Sequence, residues 1–128
     1  MKTSMKLFTL AASTLISVSA LAQEGQPWIH DPSTIMECDG KYYTFGTGGG
    51  GLISEDGWNW HGGAVRPGGG AAPDALKIGD RYLIAYSATG GGLGGGHAGR
   101  VLTMWNKTLD PNSPDFEYTE AIEVAASL

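Results

Sequence analysis

From Trp28 onward the chain alternates short apolar stretches with turn-forming breaks, and no apolar stripe recurs at the helical period. Trp28 to Asp31 leads into Pro32, and Ser33-Thr34-Ile35-Met36-Glu37-Cys38 alternates loosely up to Asp39-Gly40. An Asp-Gly pair between two such runs predicts a hairpin, because both central positions of a type I′ turn take positive φ. Lys41-Tyr42-Tyr43-Thr44-Phe45 is aromatic and β-branched and reads as the next strand. Gly48 to Gly51, a short strand Leu52-Ile53-Ser54, the turn Asp56-Gly57 and a strand Trp58-Asn59-Trp60 follow. The prediction is a meander of short antiparallel strands.

The pattern then repeats. Gly40 to Phe45 aligns with Asp80-Arg81-Tyr82-Leu83-Ile84-Ala85 at an offset of 40, with Gly79-Asp80 in the place of Asp39-Gly40. A glycine cluster follows each strand, Gly48 to Gly51 and then Gly90 to Gly96. A proline beside an aspartate precedes each, as Asp31-Pro32 and Pro73-Asp74. Two further strands, Val101 to Trp105 and Phe116 to Val124, complete the second unit. A period near 40 built of short strands predicts an all-β fold of the β-propeller kind, each blade a four-stranded sheet.

The first 22 residues differ from the rest. Lys2 and Lys6 precede an apolar run from Leu7 to Val18 that ends in Ala20-Leu21-Ala22. This is the pattern of a secretory signal peptide with an A-x-A cleavage site, and the run is shorter than the ~20 residues of a membrane span. The expected location is secreted or periplasmic, with no membrane association after cleavage. Removing residues 1–22 from 128 leaves 106, and because Lys2 and Lys6 depart, Asp+Glu 13 stand against Lys+Arg 6 for a net charge of −7. So acidic a chain is a poor ligand for nucleic acid or anionic lipid. Propellers close with about 4 to 8 blades, and at ~40 residues per blade the mature chain supplies little more than two. The expectation is therefore either part of a longer protein or a small sheet protein with exposed edges.

Few residues suggest cofactor chemistry. Cys38 is the single cysteine and reads as a strand residue. His61 and His97 share no metal-ligand spacing with a cysteine or carboxylate, so no protein-held metal is expected. The glycine clusters lack the Gly-Lys-Ser/Thr ending of a phosphate loop and read as wide loops between strands.

His30-Asp31-Pro32-Ser33 is the sharpest candidate site. Proline restricts the residue before it to extended geometry, which predicts a fixed backbone angle at Asp31 where a carboxylate could hold and deprotonate a water. An Asx turn at an ordinary Asp-Pro loop is the alternative. His30 could contact a hydroxyl or orient Asp31. Trp28, Trp58, Trp60 and Trp105 could stack on sugar rings or pack between blades.

Taken together, Trp28-Ile29-His30-Asp31-Pro32-Ser33, Lys41-Tyr42-Tyr43-Thr44-Phe45, Ser54-x-Asp56-Gly57-x-x-Trp60 and Ala72-Pro73-Asp74 resemble the first two blades of the arabinanases of glycoside hydrolase family 43. The resemblance implies a five-bladed β-propeller and a secreted, inverting hydrolase of α-1,5-arabinan or a related plant cell-wall polysaccharide. It needs no cofactor. It places Asp31 as general base and His30, Asp74 and Trp28 as substrate contacts. By the same resemblance a pKa-tuning aspartate and the acid glutamate would lie beyond Leu128. Where the family usually carries tryptophan before its Ala-Pro-Asp motif, this chain has Ala71 after Gly68-Gly69-Gly70. An inverting hydrolase needs two carboxyl groups about 6.5–9.5 Å apart, so the 128-residue chain alone is expected to be inactive. Two other readings are a sialidase-like propeller, suggested by Ser54-x-Asp56-Gly57, and a non-catalytic sugar-binding module or remnant.

Overall fold

A computed structural model describes residues 28–88 and 99–126. The predicted signal peptide, the second glycine cluster from Gly90 to Gly96, and His97 lie outside these residues. Two four-stranded sheets follow one another, each an antiparallel meander in chain order. The first contains β1 (Met36–Cys38), β2 (Lys41–Phe45), β3 (Gly50–Ser54) and β4 (His61–Val65). The second contains β5 (Ala71–Ile78), β6 (Arg81–Ala88), β7 (Arg100–Asn106) and β8 (Ile122–Ala126). Each sheet is a blade of the predicted kind, and Lys41–Phe45 and Arg81–Ala88 occupy the same second place in their blades.

The two hairpins that open the blades form where the sequence places them, with different turns. Asp39 and Gly40 have φ of 52° and 76°, the type I′ pattern. In the second hairpin Gly79 has φ 63° while Asp80 is not among the residues of positive φ, the type II′ pattern with glycine first. Asp56-Gly57 is not a tight hairpin. The Asp56 carboxylate instead accepts the N–H groups of Trp58 and Asn59 at 2.8 and 2.7 Å, and the Ser54 hydroxyl accepts that of Gly57 at 2.8 Å. The side chains thus hold a wider loop, and β4 begins at His61 rather than at Trp58. β5 has no counterpart among the predicted strands, and the remaining differences are at boundaries: β1 starts only at Met36, and β8 at Ile122 rather than Phe116.

Alternation decides what packs between the blades. Tyr43 and Phe45 of β2, Ile53 of β3 and Ala64 of β4 face Ala75 of β5, Tyr82, Ile84 and Tyr86 of β6 and Met104 of β7 in one buried cluster with Cys38 and Leu109. Full burial of a side chain such as Phe45 or Met104 is worth about 1.5–3 kcal/mol. Polar links stitch the same seam. The Tyr82 hydroxyl donates to Glu37 O at 2.9 Å, the Tyr118 hydroxyl to Val65 O at 2.9 Å, and Leu109 N–H to the Cys38 sulfur at 3.3 Å. Cys38 is therefore a buried strand residue, as expected.

Candidate functional site

The antiparallel order brings several loops to one end of the blades. There β1 begins, β2 ends and β3 begins, β4 ends and β5 begins, so residues 46–49 and 66–70 lie beside the segment that carries Asp31. Gly48 N–H donates to Gly70 O at 2.8 Å and Arg66 N–H to Gly49 O at 3.3 Å, which ties the two loops together. The glycines are there for closeness. A Cβ on Gly46 would stand 2.7 Å from Ile29 Cγ1 and 3.0 Å from His30 O, so only glycine lets residues 29–30 lie across the end of β2.

Asp31 itself departs from expectation. Its φ is +49°, in the left-handed region rather than extended. The cause is anchoring on both sides. His30 O accepts Thr47 N–H at 2.9 Å, and Ser33 N–H donates to Phe45 O at 2.8 Å while the Ser33 hydroxyl accepts Phe45 N–H at 2.9 Å. With both flanks fixed to the end of β2, the chain must bend between them. Aspartate tolerates the left-handed region better than most residues, and long-range bonds override the preference set by Pro32.

The Asp31 carboxylate is half exposed, with its side chain at 47%. Its Oδ2 lies 2.8 Å from His30 Nδ1 and accepts the Thr47 hydroxyl at 2.9 Å. The Thr47 oxygen in turn accepts Ala72 N–H from β5 at 2.9 Å. Ala72 has φ +45° beside the bulge between Ala71 and Asp74. Two residues of left-handed backbone, one from each blade, therefore meet through a single hydroxyl. No described residue donates a hydrogen bond to Oδ1.

Asp74 sits on the same corner. Its Oδ1 accepts Thr34 N–H at 3.0 Å and Ala75 N–H at 2.9 Å, and the Thr34 donor is the chief reason its carboxyl titrates below its ordinary range. The strand β5 thus grips the segment just past Pro32. His30 is on the surface beside Asp31, with 80% of its side chain exposed. Trp28 is 89% exposed, and Trp60 is buried at 8%. Trp105 is covered by the Arg81 guanidinium 4.9 Å from its ring.

Sequence reasoning did not assign Thr47 or Arg66 to the site, and named Ala72 only within the Ala72-Pro73-Asp74 motif. Arg66 is 2% exposed and lies beneath the loop, donating through Nη2 to Gly46 O at 3.2 Å with its guanidinium 4.5 Å from the Tyr86 ring centre. Burial lowers its pKa, and its Nε has no partner among the described residues. No sequence motif marks it. A cavity of about 340 Å³ lies at the opposite end, lined by Arg81, Trp105, Lys107, Asp115 and Tyr118, far along the strands from Asp31. Among the described residues no three His, Cys, Asp or Glu side chains gather as a metal site would require.

Comparison with known proteins agrees with this geometry. No family model matches the chain. A probable arabinan endo-1,5-alpha-L-arabinosidase A of Aspergillus flavus is 37% identical over 76 residues, which is 48% of this chain and 24% of that protein. The crystal structure of an exo-1,5-alpha-L-arabinanase from a bovine ruminal metagenomic library superposes with a TM-score of 0.67 at 31% identity, covering 78% of this chain and 38% of that one. A GH43 endo-arabinanase from Bacillus licheniformis superposes with a TM-score of 0.63 at 22% identity, covering 81% of this chain and 40% of that one. The two sheets have a GH43 arabinanase-like propeller fold. The chain spans about a quarter of the curated relative's length and about two fifths of the length of these solved structures.

Proposed function

We propose that the chain carries the general base and the neighbouring sugar-binding surface of an exported, inverting glycoside hydrolase acting on α-1,5-linked arabinan. The observation that carries the reading is the Asp31 carboxylate at the loop end of the blade seam, with Oδ2 taken by His30 and Thr47. That division suits a base. One oxygen is held, and the other is left to orient a water and take its proton as it attacks the anomeric carbon. The similarity to arabinanases supplies the substrate class.

His30 is proposed to steer Asp31 and to meet a sugar hydroxyl with its exposed edge. Trp28 offers an exposed aromatic face for a sugar ring. Asp74 stands at the rim of the same surface and also fixes its shape through Thr34. The proposal assigns no acid within residues 28–126, because inversion requires a second carboxyl group about 6.5–9.5 Å away and Asp74 Oδ1 is committed to backbone donors. Export through residues 1–22 belongs to the same reading, with Gln23 as the first residue of the mature protein.

The test takes the longer exported protein that this reading implies, with its acid present, incubates it with linear α-1,5-arabino-oligosaccharides and follows the anomeric protons by NMR. Cleavage with the β-anomer appearing first supports the proposal. Cleavage with retained configuration, or binding without cleavage, contradicts it.

A further inference from the structure

We infer that Thr47 is a positioning residue for Asp31, the part that aims the carboxylate in the reaction proposed above, and the inference rests on that reading. The geometry is directional. Ala72 N–H donates to Thr47 Oγ1 at 2.9 Å, so the hydroxyl proton is turned away from Ala72 and toward Asp31 Oδ2, 2.9 Å off. Thr47 N–H meanwhile donates to His30 O at 2.9 Å. One residue therefore holds the backbone just before Asp31 and the carboxylate of Asp31 together. No other described residue contacts both blades and the base in this way.

The arrangement answers a need of the site. Asp31 sits at φ +49° and its side chain is 47% exposed, so hydrogen bonds rather than close packing must fix the carboxylate's rotation. The other partner of Oδ2 is His30, a sequence neighbour whose side chain is 80% exposed. The Thr47 hydroxyl, fixed by β5, is the rigid reference. A base that must meet a water on one face of the sugar loses rate steeply when it is misplaced, by as much as about 10²-fold for 1 Å. The titratable groups around the carboxylate on these elements are His30 and Asp74, with Arg66 beneath the loop, and Thr47 is the neutral donor between the two blades.

Azide provides the test. It attacks the anomeric carbon in place of water, the bond to the leaving sugar oxygen breaks, that oxygen takes its proton from the enzyme's acid, and an inverted glycosyl azide forms. No proton has to leave the nucleophile, so azide bypasses the base. In the full chain as its host exports it, Thr47→Val is expected to lower kcat about 10- to 100-fold with KM unchanged, and Thr47→Ser to restore it. The azide-rescued rate of Asp31→Ala is expected to be the same with and without Thr47→Val. If Thr47→Val slows the azide reaction as much as it slows hydrolysis, Thr47 shapes the site without acting through Asp31 and the inference is overturned. If Thr47→Ser is as slow as Thr47→Val, the hydroxyl is not the operative group and the inference is overturned as well. Should Asp31→Ala hydrolyse arabinan at the wild-type rate, the base assignment itself fails, which separates that failure from a failure confined to Thr47.

Discussion

Thr34 and Asp74, 40 residues apart in sequence, are joined by a hydrogen bond of 3.0 Å from the Thr34 N–H to the Asp74 carboxylate. The spacing equals the offset at which the two blades repeat, so the bond links corresponding corners of successive blades and fixes the chain just after Asp31-Pro32. The site is held from the second blade.

Replacing Asp74 by alanine should therefore loosen the seam. The loss of a charged acceptor from two backbone donors is expected to cost about 1–2 kcal/mol, at the low end because the groups are exposed. The folded carboxyl titrates below its ordinary value, so the stabilisation is present above the unfolded pKa and is lost as pH falls through the lowered one. Thermal melts of wild type and Asp74→Ala should differ at pH 7 and converge as pH falls below the ordinary carboxylate range. A difference that is constant with pH contradicts the assignment.

Asp56 makes a parallel case at the other end of the first blade. The N–H groups of Asn59 and Trp58, in that order, are the leading reasons its pKa falls from 3.8 to about 2. Its contribution to stability is full above the unfolded value and disappears as pH drops through about 2. Asp56→Ala should lower Tm at pH 7 and leave hydrolysis unaffected, since the turn lies at the end away from Asp31. Calorimetry and an arabinan assay on the same variant check both halves.

Gly46→Ala should act on the site without touching a polar group. The new Cβ would meet Ile29 and the His30 carbonyl at 2.7 and 3.0 Å, so residues 29–30 must move off β2 and carry Asp31 with them. A fall in kcat larger than the accompanying fall in stability explains is expected. Unchanged kinetics would show that Asp31 does not depend on this close approach.

Much of the fold was legible because its signals are local. Asp39-Gly40 and Gly79-Asp80 announce hairpins through the φ values they permit, and the aromatic strands after them fix the repeat. β4 was placed too early, over Trp58 to Trp60, and β5 was not predicted as a strand. Gly62 and Gly63 in one and Pro73 in the other weaken any strand signal, and these strands exist because β3 and β6 give them partners. The candidate site was legible in identity at Asp31, whose neighbours spell a motif. It was not legible in geometry, because the left-handed turn at Asp31 is set by Thr47 and Phe45, which are distant in sequence. Thr47 carried no signal at all, since a threonine before glycines is common in loops, and Ala72 was marked only as part of Ala72-Pro73-Asp74, with nothing to show its contact to Thr47.

The most direct measurement is kcat of Asp31→Ala against wild type on linear α-1,5-arabinan, in the longer exported protein that supplies the second carboxyl group, with Tm recorded on the same samples. Loss of a general base predicts a fall of about 10² to 10⁴. Relief of the left-handed backbone does not follow from alanine, so Tm should stay close to wild type or drop slightly. Hydrolysis at the wild-type rate by a folded Asp31→Ala protein would contradict the account.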